Sequence, residues 1–205
     1  MIHYAWIIAF AGTLVTILAH GLGRMSYSVI LPSMKDGLAL TYTQLGSIAM
    51  GNFIGYLCLA IIGGFLATRF GVRRVVFVSL IVIGVSLFFT GFSDSFSFAF
   101  FMRLFAGAGN GSSYVPIMAL PAAWFVAKKR GLATGIVSGG IGAGLFLSGI
   151  ILPPVIAVFG KEGWRYAWHF MGITVFVLAF VCYAFLRNNP KEKGLSMYGG
   201  DEEQK

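Results

Sequence analysis

The first long apolar run of the chain carries His20, Arg24, Tyr27 and Ser28. Their offsets of zero, four, seven and eight residues place them on one face of an α-helix. Arginine presents a planar fork of donors that matches a carboxylate or phosphate bidentately, and it keeps its charge when water is removed. A histidine beside it, with an ordinary pKa of about 6.5, can exchange a proton near neutral pH. This constellation points to a site for a small organic anion, with Arg24 as its anchor. The alternative is that the helix ends near Gly23 and Arg24 sits at the outer membrane surface.

Two further apolar runs carry matching polar groups. Asn52 and Tyr56 lie one turn apart in the second. Arg103, Asn110 and Tyr114, spaced at zero, seven and eleven, make a stripe on the fourth. A charge within an apolar span is costly and usually faces a cavity or a partner. Arg103 therefore joins the binding candidates, as a second positive charge or a proton-linked switch, unless it snorkels outward toward Asp94.

Catalytic and metal chemistry find little support. Ser112 and Ser113 follow Gly111, but the order G-x-S-G is absent. His3, His20 and His169 lack a spacing such as H-E-x-x-H. Cys58 and Cys182 lie inside apolar runs, as small core residues do, so neither a disulfide nor a metal pair is expected. No enzyme activity, metal or cofactor is expected, an intramembrane enzyme being the remote alternative. A duplicated N-P-A signature, which would suggest a channel, is absent.

These residues sit in a chain that is 58% hydrophobic and 11% charged, too apolar for a soluble fold of 205 residues. The net charge of +8 does not imply nucleic acid, because the cations are confined to short loops between apolar runs. Six runs reach the roughly 20 residues that span a bilayer. They lie near Tyr4–Ser33, Tyr42–Thr68, Arg73–Phe92, Phe96–Phe125, Gly131–Phe159 and Arg165–Leu186. The first is expected to be retained as a helix, not cleaved as a leader.

One set of loops collects Arg69, Arg73, Arg74, Lys128, Lys129, Arg130, Arg187, Lys191, Lys193 and Lys205. The other has Lys35, Lys161 and Arg165, partly offset by Asp36, Asp94 and Glu162. Cationic loops stay cytoplasmic, so both termini are expected on the cytoplasmic side of the inner membrane. The division is a six-helix bundle over 1–187 and a polar, flexible tail or linker over 188–205.

Glycine organises the packing. The fifth run carries Gly135, Gly139, Gly140 and Gly144, and small residues four apart let helix backbones approach. Pro153-Pro154 is expected to weaken that helix near its end. Phe70-Gly71 with Arg73 closes the second run, and Phe159-Gly160 with Arg165 echoes it after the fifth.

The stretch GGFLATRFGVRR resembles the loop between helices two and three of the major facilitator superfamily, G-x-L-A-D-R-x-G-R-R, through Gly64, Leu66, Ala67, Arg69, Gly71, Arg73 and Arg74. In that family the loop packs against the other half of the transporter and helps hold a gating state. Thr68 stands where the pattern has Asp, so it cannot supply that charge, although its hydroxyl can cap a helix. Val72 stands where Arg is frequent. Arg103, Gly107 and Gly109 resemble the family's fourth-helix pattern R-x-x-x-G-x-G. Trp124, Phe125, Lys129, Arg130, Leu132, Ala133 and Gly135 resemble monocarboxylate and oxalate–formate carriers, as does Gly163-Trp164-Arg165. Arg24, eight residues before Pro32, resembles the first-helix arginine of organophosphate antiporters. Pro190, Gly194 and Leu195 resemble the start of the family's central loop.

The resemblance implies an all-α membrane fold of six transmembrane helices, built as two inverted three-helix repeats and forming the N-terminal half of a transporter. It implies transport of a small organic anion by alternating access, proton-coupled or by exchange. Export of neutral or drug-like solutes is the alternative, as is a half-size subunit. The implied partners are the bilayer, the anion, and a second six-helix half from the same gene, a separate chain or a second copy.

Overall fold

A computed structural model describes residues 3–200, and it is helical nearly throughout. Six long helical stretches follow the apolar runs: α1 (Tyr4–Gly37), α2 (Tyr42–Phe70), α3 (Val72–Thr90), α4 (Phe96–Trp124), α5 (Ala127–Phe159) and α6 (Gly163–Phe185). Their ends obey local chemistry. The His3 ring accepts from Ala5 N, Thr41 and Gln44 form a reciprocal capping box, and the Ser95 hydroxyl accepts from Phe98 N. Gly71 (φ +84°) ends α2 and Gly160 (φ +57°) ends α5. Both occupy a left-handed backbone region that side chains resist, which is what the two Phe-Gly echoes encode.

Three of these helices, and the continuous stretch Ala127–Phe185, are long and apolar enough to cross a membrane. That last stretch has 59 residues and holds α5 and α6, joined by a single 3₁₀ turn at Gly160–Glu162. α4 is as long as α2, but Arg103 and Asn110 interrupt its apolar stretch.

Close backbone approaches set the packing. A side chain on Gly55, Gly63, Gly107 or Gly111 would run into backbone across the α2–α4 seam. Gly21 and Gly144 meet directly across α1–α5, and Gly84 meets Gly172 and Phe176 across α3–α6. Exchanging α1 with α4, α2 with α5 and α3 with α6 maps the first seam onto the second and the third onto itself. That is the relation expected of two inverted three-helix repeats.

The glycines of α5 divide by face. Gly140 lies against Thr13 and Thr16, and Gly144 against Ile17 and Gly21. Thr16 donates to Val137 O at 2.6 Å and Thr13 to Ile136 O at 3.0 Å, so α1 and α5 are also bonded along this seam. Gly135 and Gly139 are exposed, with nothing among the described residues within 4 Å of where a Cβ would stand. The expectation that they pack closely fails within this chain. A four-residue spacing from Gly140 runs through Gly144, whereas Gly135 and Gly139 fall on the far side of the helix. α5 also passes through Pro153-Pro154 without a break, to Phe159.

The tail corrects a second expectation. Over 188–200 it is docked instead of loose; the remainder of the expected tail, with Lys205, lies outside the described residues. Tyr198 N donates to Trp124 O and Val126 N donates to Tyr198 O, at 2.9 and 3.2 Å. The Tyr198 ring packs on His3, Trp6 and Phe125. Asn188 reaches the α2–α3 turn, where its Oδ1 accepts from Arg73 N at 3.0 Å, and Glu192 holds Asn188 through its Nδ2 at 2.9 Å. Composition suggests a linker because the segment is polar. It is ordered because α3 begins at Gly71 without a capping side chain of its own, and Asn188 supplies one from a distance. Asn188→Ala is therefore expected to cost about 1 kcal/mol, the usual worth of such a cap. It should also speed proteolysis within 188–200. Unchanged cleavage there, read by mass spectrometry, would remove the docking from the account.

Candidate functional site

The site is built on an irregularity of α1. Over Ile17–Met25 this helix widens into π-helical turns, a form that is rare and concentrated at functional sites. The wider turn changes which side chains share a face. Arg24, Tyr27 and Ser28 line a cavity of about 500 Å³ with Met50, Asn52 and Phe53 of α2 and Arg103 of α4. His20 lies beside it, buried at 4% exposure, with its ring 4.7 Å from that of Tyr114 and 6.2 Å from that of Tyr56. Neither His20 ring nitrogen has a hydrogen-bond partner among the described residues. The structure thus brings the candidates together as two adjoining groups instead of one straight stripe.

Arg24 joins them. Its guanidinium lies over Tyr56 at 4.8 Å and over Phe53 at 5.3 Å. Among the described residues it has no carboxylate partner. Aromatic faces attract a cation but leave its donor fork unused, so the fork remains available to an anion. The other residues play smaller parts. Ser28 is exposed and donates to Met25 O at 2.8 Å. The Tyr27 hydroxyl donates to Leu45 O at 3.0 Å, holding α1 to α2. Asn52 donates to Arg103 O at 3.1 Å. Asn110 is fully buried next to Gly23, and among the described residues neither end of its amide is bonded.

Arg103 does not snorkel. It is 1% exposed and donates from Nη1 to Gly23 O at 2.8 Å, with Nη2 at a longer 3.5 Å from Arg24 O. Its guanidinium lies 5.2 Å from the Tyr27 ring and 5.1 Å from that of Trp168. Asp94 is taken by Arg165 at 2.8 Å. Widened turns shift backbone carbonyls out of their usual register, and Arg103 satisfies one of them. It thereby holds the segment that presents Arg24.

The gating candidates lie at the far end of α2. Thr68 does not cap α3; its hydroxyl turns back to Phe65 O at 2.8 Å, because Gly71 separates it from that helix. Arg73 is fixed to the end of α6, donating from Nε to Tyr183 O at 2.8 Å with its guanidinium 4.0 Å from the Tyr183 ring. Arg69 lies over Phe70, and Arg74 is exposed. Gly64 is less crowded than Gly63, touching only Val115.

Comparison with known proteins decides the family. The pattern of the Major Facilitator Superfamily matches residues 13–201. The chain belongs to the Major Facilitator Superfamily. It is similar to the probable sulfoacetate transporter SauU of Cupriavidus necator, 29% identical over 168 residues, which cover 82% of this chain and 38% of that protein. The hexuronate transporter of Bacillus subtilis is 27% identical over 173 residues, covering 83% and 40%. The probable galactarate/D-glucarate transporter GarP of Escherichia coli K12 is 29% identical over 171 residues, covering 80% and 38%. The chain thus spans about 40% of the length of these relatives. In fold it is similar to a bacterial homolog of the human lysosomal transporter Spinster, solved inward-facing and occupied, at a TM-score of 0.82 and 19% identity. That match covers 93% of this chain and 46% of the other. A superfamily member of this kind is a multi-pass membrane protein of a transporter family, not an enzyme.

Some participants are not legible from residue types. Phe53 reads as a lipid-facing aromatic, although it stands one turn before Tyr56 and so shares its face. Trp168, the second ring beside Arg103, comes from a helix sixty-five residues away and has no local signal. Asn188 looks like a loop residue, and only the docked tail gives it a role.

Proposed function

We propose that this superfamily member forms one wall of a secondary transporter for a small organic anion, and that Arg24 binds the anionic group. The observation that carries this reading is a guanidinium without a carboxylate partner among the described residues, held over two aromatic faces at a cavity that also contains Asn52 and Arg103. The printed substrates of the relatives, sulfoacetate, hexuronate and galactarate or D-glucarate, are organic anions and support the same class. His20 is the group proposed to exchange a proton, if transport is proton-coupled and not an exchange of anions.

A cavity walled on one side requires a second six-helix half, since alternating access rocks one bundle against another. Large apolar side chains on α2 and α5, such as Leu57, Ile61, Phe146 and Ile150, stand exposed and are available to it. In this reading residues 1–187 are the bundle, residues 188–205 begin the connection, and both termini are cytoplasmic because the cation-rich loops are.

The test of substrate class is a thermal-shift screen of the complete transporter against monocarboxylates, aldarates, sulfonates and sugar phosphates. Stabilisation by anions is expected; stabilisation only by neutral or cationic compounds would move the protein to the solute exporters. Topology has its own check. After removal of Cys58 and Cys182, single cysteines at Val72 and Lys161 should react with an impermeant thiol reagent from opposite sides. Reaction of both from outside the cell would refute the arrangement.

A further inference from the structure

A second cleft, of about 450 Å³, lies between α2, α3 and α4 and shares no residue with the Arg24 cavity. Its floor is made of small α4 residues, Ala108, Gly109 and Ser112. Leu59 and Leu66 of α2 face Val78 and Val82 of α3 across it. The one polar feature of the floor is satisfied, since the Ser79 and Ser112 hydroxyls bond each other at 2.7 Å. Phe70 and Arg74 stand at the end nearest the α2–α3 turn. From Arg74 to Val82 the cleft follows α3 for about 12 Å, at 1.5 Å per residue.

We infer that this cleft binds an anionic phospholipid, with an acyl chain along the apolar walls and the headgroup phosphate on Arg74. Three observations select this occupant. Arg74 is exposed and has no hydrogen bond or ion pair among the described residues, in contrast with Arg73 beside it. The stretch from Gly63 to Arg74 contains no acid to compete with a phosphate. The third concerns direction. At about 100° per residue, Leu59 and Leu66 point roughly opposite to Met50, Phe53 and Leu57. Met50 and Phe53 line the Arg24 cavity, which the second half must close. The cleft is therefore turned away from that half, toward the surrounding bilayer. A membrane leaflet rich in anionic lipid attracts juxtamembrane cations, and a cation at the mouth of an apolar cleft adds a fixed position to that general attraction.

The experiment uses this chain, delipidated in detergent and examined by native mass spectrometry with phosphatidylglycerol or phosphatidylcholine of matched acyl chains. At least about fivefold greater retention of phosphatidylglycerol is expected. Arg74→Gln should abolish the preference, while Arg69→Gln, outside the lining of the cleft, should keep it. Val78→Trp should fill the cleft and lower retention of both lipids. Melting temperature in zwitterionic detergent confirms that each variant is folded. Equal retention of the two lipids by the unaltered chain would overturn the inference. So would an equal loss in Arg69→Gln, which would mean diffuse attraction without a site. A cysteine at Val78 that crosslinks efficiently to the second half in the complete transporter would show that protein fills the cleft, and would also overturn it.

Discussion

Replacing Arg24 with Lys is expected to weaken anion binding by roughly 10- to 100-fold, while folded protein is recovered at close to normal yield. Hydrogen bonds to charged groups contribute about 1.5–3 kcal/mol, and each 1.4 kcal/mol is a factor of about ten. Lysine keeps the charge but loses the planar fork, so one of two parallel bonds to a carboxylate disappears. Yield should hold because Arg24 rests on the faces of Phe53 and Tyr56, which an ammonium can also occupy. Arg103 provides the contrast. Arg103→Ala removes the charged bond to Gly23 O and opens a space beside Tyr27 and Trp168, so folded protein should be lost before any binding is measured. Calorimetric titration of an aldarate or sulfonate against the complete transporter reads the first effect. Size-exclusion yield reads the second. Full-strength anion binding by Arg24→Ala would remove Arg24 from the site. Normal yield and melting for Arg103→Ala would remove the clasp on α1.

Gly144→Leu is expected to abolish folding, and Gly139→Leu to leave yield and melting temperature nearly unchanged. A Cβ on Gly144 would stand 2.6 Å from Gly21 Cα and 2.8 Å from Ile17 O. Neither can move without displacing α1, because the Thr13 and Thr16 hydroxyls bond the same seam. The cost should exceed the about 1–3 kcal/mol of ordinary overpacking, which side chains can relax. Gly139 has nothing within 4 Å of its virtual Cβ, so leucine there extends into free space within this chain. Fluorescence-detected chromatography and thermal unfolding in detergent compare the two. Comparable behaviour would show that the α1–α5 seam does not depend on backbone approach. In the complete transporter, a severe effect of Gly139→Leu would instead place the second half against that face of α5.

Much of this protein is determined by local sequence. Run length and the absence of charge dictate long helices in a bilayer, since each backbone group is satisfied within its own helix. Gly71 and Gly160 end helices because only glycine adopts their left-handed backbone at low cost. The residue types of the site are also legible, because Arg24, His20, Asn52, Arg103 and Tyr114 are conspicuous in apolar surroundings. Tertiary structure decided how they are arranged. The regular 3.6-residue period puts His20, Arg24, Tyr27 and Ser28 on one face. Instead, the π-helical turn at Ile17–Met25, clasped at Gly23 O by Arg103, gives Arg24 to the cavity and His20 to the tyrosines. Nothing local to residues 17–25 announces that turn, because the group that satisfies it lies eighty residues away. The same holds for the glycines of α5. Composition marks a set of small residues, but which of them touch a backbone depends on where α1 lies. It also holds for the tail, polar enough to be a linker and yet held, because Asn188 completes a helix start more than one hundred residues earlier. Helix formation is a property of neighbouring residues. The face a helix presents, and the partner that completes its open ends, are properties of distant ones, and those can be read only once the chain has folded.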